Sequence, residues 1–335
     1  MTLKNFSSHY PKSIEKVLVF FLQTKIGVSV TSLKGGGNNQ VFLIKHQNNH
    51  YVLKSYFPSK KQRHSRINSE YSFLEYAWKL GIRNIPKPLA EFKEDNIAIY
   101  SYISGRTPNQ DDVEINEAIK FLLKLNTNRA SIKLPKATES CFCFQDYIDT
   151  VDRKFSKLLA SVKEKNQLYD FLTESFQPKW DRIKSNLIKK YESELKTHFP
   201  LDETFITPSD FGFHNAIIKN DMTYFIDFEY AGIDDIAKTV CDFFCQPKYP
   251  ISMKYLSRFS SSLMQLAKDP ANLVWRIHEL MPVSQMKWCC IILNIFLKEG
   301  KKRREFSLSK WEESEQFNKA VEYFNNIKKE FLWPI

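Results

Sequence analysis

The sequence has no C-x-x-C pair: its six cysteines stand as Cys141 and Cys143, Cys241 and Cys245, and Cys289 and Cys290. With no histidine nearby at finger spacing, neither a zinc site nor a disulfide framework is favoured, and the thiols read as small apolar side chains, reduced, in a cytoplasmic protein. Long apolar runs are missing too. Residues 288–297 make about half a membrane span and carry Asn294, while residues 17–22, after a polar start, are too short for the core of a secretory signal. The expectation is a protein with no membrane span. Internal repeats and low-complexity segments are absent. Glycine is scarce, nine in 335 residues, yet Gly35, Gly36 and Gly37 are consecutive.

What is present is ordinary in bulk. Hydrophobic residues at 43% and charged ones at 26% suit a folded chain, and the length allows two lobes with sizeable cores. The formal net charge of +11, fed by residues 54–66 and 298–304, suits an anionic partner or simply a solvated basic surface. A nucleic-acid-binding reading lacks any recognised module, and the charge is spread over several predicted helices.

Residues 13–25 follow a Ser cap with an apolar face and predict a short helix. Residues 28–33 and 40–46 alternate as strands around the triple-glycine turn, where missing side chains let backbone amides approach phosphate oxygens; a plain structural hairpin reads the same way. Asn48-Asn49 predicts a turn and residues 51–56 a third strand. Lys54 in that strand either reaches solvent along its stem or is held inward on phosphates. Residues 67–80, with a Tyr71, Leu74, Trp78 stripe, predict a helix carrying Glu70, which an inward Lys54 would meet. A hairpin over 89–103 then ends at Ser104-Gly105, which suits a hinge.

Beyond the hinge the pattern is mainly helical, over 114–126, 145–159, 170–195, 252–267, 271–280, 284–299 and 309–331. The exception is residues 205–231. Asp210 stands five residues before Asn215, an apolar hairpin over 216–225 turns at Lys219-Asn220-Asp221, and Asp227 follows it. A hydroxyl attacking a terminal phosphate needs a carboxylate to take its proton and oxygen ligands for a divalent metal, and this spacing supplies both. Taken alone, each acid reads equally as a turn residue. Asp242 lies in an apolar segment, where burial without a partner is costly, and it is expected to accept hydrogen bonds from backbone amides of the Asp210 loop.

Together and in this order, these features resemble the aminoglycoside phosphotransferase and choline kinase branch of the protein-kinase-like fold, over essentially the whole length. The resemblance implies an α+β fold, with a small N-terminal antiparallel β lobe for nucleotide (residues 1–103) and a larger, mainly helical catalytic and acceptor-binding lobe (104–335). It implies ATP and magnesium. Gly35, Gly36, Gly37 and Asn38 would cover the phosphates, Lys54 would hold them with Glu70 as its ion-pair partner, and Tyr102 and Ile103 would contact the nucleotide. Asp210 would be the catalytic aspartate, with Asn215 and Asp227 as magnesium ligands. The chain departs from the pattern in having Pro208-Ser209 before Asp210 in place of His-Gly, and in having its nearest histidine, His214, beside Asn215.

The implied function is an ATP-dependent phosphotransferase acting on a hydroxyl of a small molecule, a sugar or related metabolite among the candidates. A nucleotide-binding pseudokinase is the alternative, which retention of Lys54, Glu70, Asp210, Asn215 and Asp227 argues against. Acceptor contacts are expected after Ile251, where pattern does not separate a pocket acid such as Glu279 from a surface one. No nucleic-acid partner is expected, and the oligomeric state is left open.

Overall fold

The alternation over residues 28–46 becomes two antiparallel strands, β1 (Val28–Leu33) and β2 (Gln40–His46), paired from Val28↔His46 to Leu33↔Val41. Phe42 and Ile44 turn to one side of β2 and are buried with Val28 and Val30, as the two-residue period of a strand requires. The turn into β3 (Asn49–Ser55) is Gln47-Asn48, one residue earlier than expected: His46 already pairs with Asn49, and Gln47 takes a left-handed φ of 55° to close so short a loop. Strands β4 (Pro88–Phe92) and β5 (Ile97–Ser101) complete an antiparallel sheet of order β1-β2-β3-β5-β4. Pro88 opens an edge strand, where its missing N–H costs no ladder bond.

Ile14, Val17 and Leu18 form the buried stripe of α1 (Lys12–Leu22) and pack on Phe42, Ile44, Leu53, Ile97 and Ile99. Each such side chain contributes roughly 1.5–3 kcal/mol by leaving water. The helix α2 (Arg66–Lys79) buries Ile67, Glu70, Phe73, Leu74 and Ala77, so of the expected Tyr71, Leu74, Trp78 stripe only Leu74 is fully buried. Trp78 stays at the margin because its indole N–H donates to the Pro86 carbonyl and its face carries the Arg83 guanidinium, 4.1 Å from the ring centre.

The computed structural model describes residues 12–33, 37–58, 65–109, 114–128, 134–162, 166–200 and 204–327. The chain divides into two units: the first takes Met1–Asp112, Asn215–Tyr230 and Lys302–Lys310, and the second Val113–His214, Ala231–Lys301 and Trp311–Ile335. In the second, α3 (Ile115–Leu125) and α4 (Phe144–Ser161) are followed by a π-helical stretch, Phe171–Phe176, that runs into α5 (Gln177–Lys190). The single regular helix expected over 170–195 is thus replaced at its start by a wider turn that buries Phe171, Leu172 and Phe176, with Phe176 stacked on Phe155 at 5.3 Å.

Strands β6 (Thr204–Thr207) and β9 (Gly232–Asp235) pair antiparallel in the second unit; β7 (Ala216–Lys219) and β8 (Met222–Phe225) form a hairpin in the first. Then come α6 (Ile236–Cys245), α7 (Leu256–Met264), α8 (Pro270–Ile292), α9 (Lys298–Ser307) and α10 (Glu313–Asn325). The two helices expected over 271–280 and 284–299 are in fact α8, unbroken through Pro282, and the start of α9. Proline removes one backbone bond, but Met281, Val283, Ser284 and Met286 are buried around it and packing decides. Between them, Leu293–Phe296 tightens to a 3₁₀ turn, and Gly300 passes so close that a Cβ there would stand 1.9 Å from the Asn294 carbonyl oxygen. No single described helix is long and apolar enough to cross a membrane.

Candidate active site

Leu53 enters the core on one face of β3, so its neighbour Lys54 takes the other, in register with Val41 and Ala98. Lys54 is 6% exposed, and its Nζ lies 2.7 Å from Glu70 Oε2 and 2.5 Å from Asp227 Oδ1. Burial alone would lower its pKa, but the carboxylates of Asp227, Glu70 and Glu229 outweigh it and hold the ammonium above its ordinary value. Burial pushes Glu70 upward, against the opposing pull of Lys54. Both Glu70 oxygens are used: the Tyr56 hydroxyl also donates to Oε2 at 2.7 Å, and the Phe228 amide donates to Oε1 at 3.2 Å.

The β7–β8 hairpin turns at Asn220-Asp221, with φ of 50° and 57°, the left-handed pair that suits strand twist. After β8 the Ile226 amide donates to the Asn215 carbonyl at 2.9 Å, so Asn215 and the segment carrying Asp227 are joined by backbone. Asp227 itself has φ 68°, a conformation uncommon outside glycine, held between that bond and the Phe228–Glu70 bond. Phe228 stacks on Phe73 of α2 at 4.7 Å. Glu229, 2% exposed, accepts from Asn39 at 2.6 Å and Asn38 at 3.2 Å and pairs with Arg66 at 3.5 Å. Asn38 also donates to the Tyr230 hydroxyl at 2.9 Å.

Lys54 is therefore in direct contact with both Glu70 and Asp227, and Asn38 is bonded to Glu229, two residues after Asp227. Gly35 and Gly36 lie outside the described residues; Gly37 is followed by this asparagine pair. Tyr102 and Ile103 follow β5, the first donating its amide to the His50 carbonyl at 3.4 Å and the second buried.

In the second unit, β6 delivers the Asp210 loop. Ser209 has φ 67°, its amide bonded to Thr207 Oγ1 at 2.9 Å, and the Asp210 amide bonds back to the Pro208 carbonyl at 3.0 Å. Phe211 and Phe213 anchor the loop, Phe211 against Phe121 (5.6 Å) and Phe243 (5.4 Å), Phe213 against Phe243 (6.0 Å). The Asp210 carboxylate is a third exposed and lies 3.1 Å from His214 Nε2. A Cβ at Gly212 would stand 2.8 Å from His214 Nδ1, so glycine leaves room for the imidazole to reach back to the aspartate.

Asp242 does not accept from that loop's amides. Its partners are Lys238 Nζ at 3.1 Å, Lys287 Nζ, and Trp288 Nε1 at 3.0 Å. Burial opposes ionisation there, but Lys287 and Lys238 prevail and hold the carboxyl below its ordinary value. The ammonium one helical turn back and the one on α8 satisfy it where backbone amides were expected.

A family model described as the phosphotransferase enzyme family matches residues 29–245. The chain belongs to that family. The fold of this phosphotransferase is the kinase-like α+β one. Choline kinase LicA from Streptococcus pneumoniae superposes with a TM-score of 0.60 at 16% identity, over 93% of this chain and 99% of that one. A choline kinase from Cryptosporidium parvum gives 0.58 at 14%, over 94% and 97%. A spectinomycin phosphotransferase solved with ADP and spectinomycin gives 0.60 at 16%, over 95% and 98%. A comparison with curated protein sequences gives no match.

Magnesium fits the donor set of this phosphotransferase. Asp227 and Asn215, held near one another by the Ile226–Asn215 backbone bond, would offer a carboxylate and an amide oxygen. That suits a hard cation which takes its remaining ligands from water and phosphate oxygens. Sequence reasoning gave no role to two residues. His214 was signalled only by its four-residue offset from Asp210, and Glu229 carried no local signal because its partners are 190 and 191 positions away.

Proposed function

We propose that the chain transfers the γ-phosphoryl group of ATP to a hydroxyl of a neutral or anionic small metabolite, a sugar or related compound, in the cytoplasm. The observation that carries the reading is the buried Lys54 ammonium held jointly by Glu70 and Asp227. Residues 1–103 bind the nucleotide, through Gly35, Gly36, Gly37, Asn38, Lys54, Tyr102 and Ile103, with Glu70 fixing the lysine. Residues 104–335 carry the catalytic aspartate and the acceptor contacts. Asn215 and Asp227 hold magnesium, which neutralises the triphosphate.

Asp210 orients the acceptor hydroxyl. The hydroxyl oxygen forms a bond to the γ-phosphorus, the bond from that phosphorus to the β–γ bridging oxygen breaks, ADP leaves with the electron pair, and the hydroxyl proton passes to the Asp210 carboxylate. His214 holds that carboxylate in place, the support for which the family pattern uses a histidine at another offset. The formal charge of +11 slows the approach of polycations and favours a neutral or anionic acceptor over an aminoglycoside.

The direct test is titration calorimetry of the intact protein with ATP and magnesium, then of Lys54→Ala. Binding by the wild type and at least about tenfold weaker binding by the variant is expected, as removal of a charge-assisted phosphate contact predicts. No binding of magnesium-ATP by the wild type overturns the reading.

A further inference from the structure

The run Lys298–Arg304 had no function assigned from sequence beyond its charge. Its last residues belong to the first unit and are fastened there by contacts other than ion pairs with acids. Gln40 Nε2 on β2 donates to the Phe306 carbonyl at 2.9 Å, and the Phe306 ring meets Phe57 edge to face at 5.5 Å. The Arg303 guanidinium lies over the same Phe57 ring. These anchors fix the last turn of α9 and with it Arg304, whose side chain lies against Gly37. A Cβ built on Gly37 would stand 3.4 Å from Arg304 Nη1 and 3.8 Å from its Cγ and Cζ.

With that position comes an unmet demand. The Arg304 side chain is half-buried, and its guanidinium forms no hydrogen bond or ion pair with any described residue. Burial draws its pKa down, with no carboxylate among the described residues drawing it up. A guanidinium held against Gly37 with no acidic partner among the described residues is matched by an anion with several oxygens, and Gly37 belongs to the run read above as covering phosphates. We infer that Arg304 is a nucleotide-binding residue, its planar fork pairing with phosphate oxygens of the nucleoside triphosphate beside Gly37. This rests on the proposed binding of ATP, and it assigns to the far end of the chain a contact that the motif-bearing segments do not supply.

The test is calorimetry with ATP, ADP and adenosine, each with magnesium, on the wild type, Arg304→Ala, Arg304→Gln and Arg304→Lys, with thermal unfolding run on each. Gln keeps most of the packing stem without the charge, so it carries the test if the alanine variant does not fold. Ala and Gln are expected to weaken ATP about 10- to 100-fold and to leave adenosine unchanged, with Lys intermediate because it returns the charge without the fork. ATP affinity unchanged in Ala and Gln, while the wild type binds ATP, overturns this inference alone. Equal loss for adenosine and ATP also overturns it, since the residue would then act through packing. A wild type that binds no ATP removes both this inference and the function on which it rests.

Discussion

Asn39 Nδ2 lies 2.6 Å from Glu229 Oε2, a contact between residues 190 positions apart that ties the end of the glycine turn to the segment just after Asp227. Glu229 is buried with Asn38 and Arg66 on the same carboxylate, so its oxygens answer three donors at once. Arg66 in turn lies over the Tyr230 ring, 5.2 Å from its centre. The turn, α2 and the residues after Asp227 thus share one acid, and losing it leaves polar groups in an interior that does not rehydrate them.

Glu229→Ala is therefore expected to lower stability by about 3–5 kcal/mol, the range for breaking a buried charge pair, and Glu229→Gln by less because an acceptor remains. Chemical denaturation monitored by fluorescence reads this. Unchanged midpoints in both variants would mean that the cluster is incidental.

Asp227→Asn separates chemistry from folding. The amide still accepts from Lys54, so the fold is expected to remain, while the carboxylate proposed as a metal ligand is gone and turnover is expected to fall to the floor of the assay. A magnesium titration of ATP turnover, with circular dichroism as the control, checks it. Activity equal to wild type at every magnesium concentration contradicts the assignment.

How much of this was legible follows from the range of each interaction. Lys54 stood out because strand alternation places it opposite Leu53, and Asp227 because Asn220-Asp221 is a turn that returns the chain toward Asn215; both are local signals. Glu229 was silent, since nothing near it in sequence names Asn38 or Asn39. Asp242 was recognised as a buried acid in need of partners, but the partner that completes its set, Lys287, lies on α8, and single-sequence periodicity does not say which helices meet. Pro282 failed as a helix break because its surroundings are buried, and burial is a tertiary fact.

The Asp242 cluster gives a stability prediction with a sign. Its folded pKa is depressed below 3.8, so the unfolded chain binds the proton more readily, and the stabilisation is present above the ordinary carboxylate range and lost as pH falls below it. Asp242→Asn leaves Lys287 and the Trp288 indole N–H without their carboxylate and Lys238 with Asp234 alone, and about 3–5 kcal/mol is expected to be lost at neutral pH. The variant's stability is also expected to fall less steeply on acidification below about pH 4 than the wild type's. Parallel wild-type and variant curves of unfolding free energy against pH would contradict this.

The most direct measurement is acceptor-dependent formation of ADP and phosphorylated product by the wild type and Asp210→Asn, over a panel of sugars, choline and kanamycin-like amines. The account predicts turnover with a neutral or anionic hydroxylated compound, a rate on the order of 10²- to 10⁴-fold lower in Asp210→Asn, and little change in ATP affinity. Turnover with the amines alone would contradict the acceptor class, and full activity in Asp210→Asn would contradict the catalytic role on which the whole reading stands.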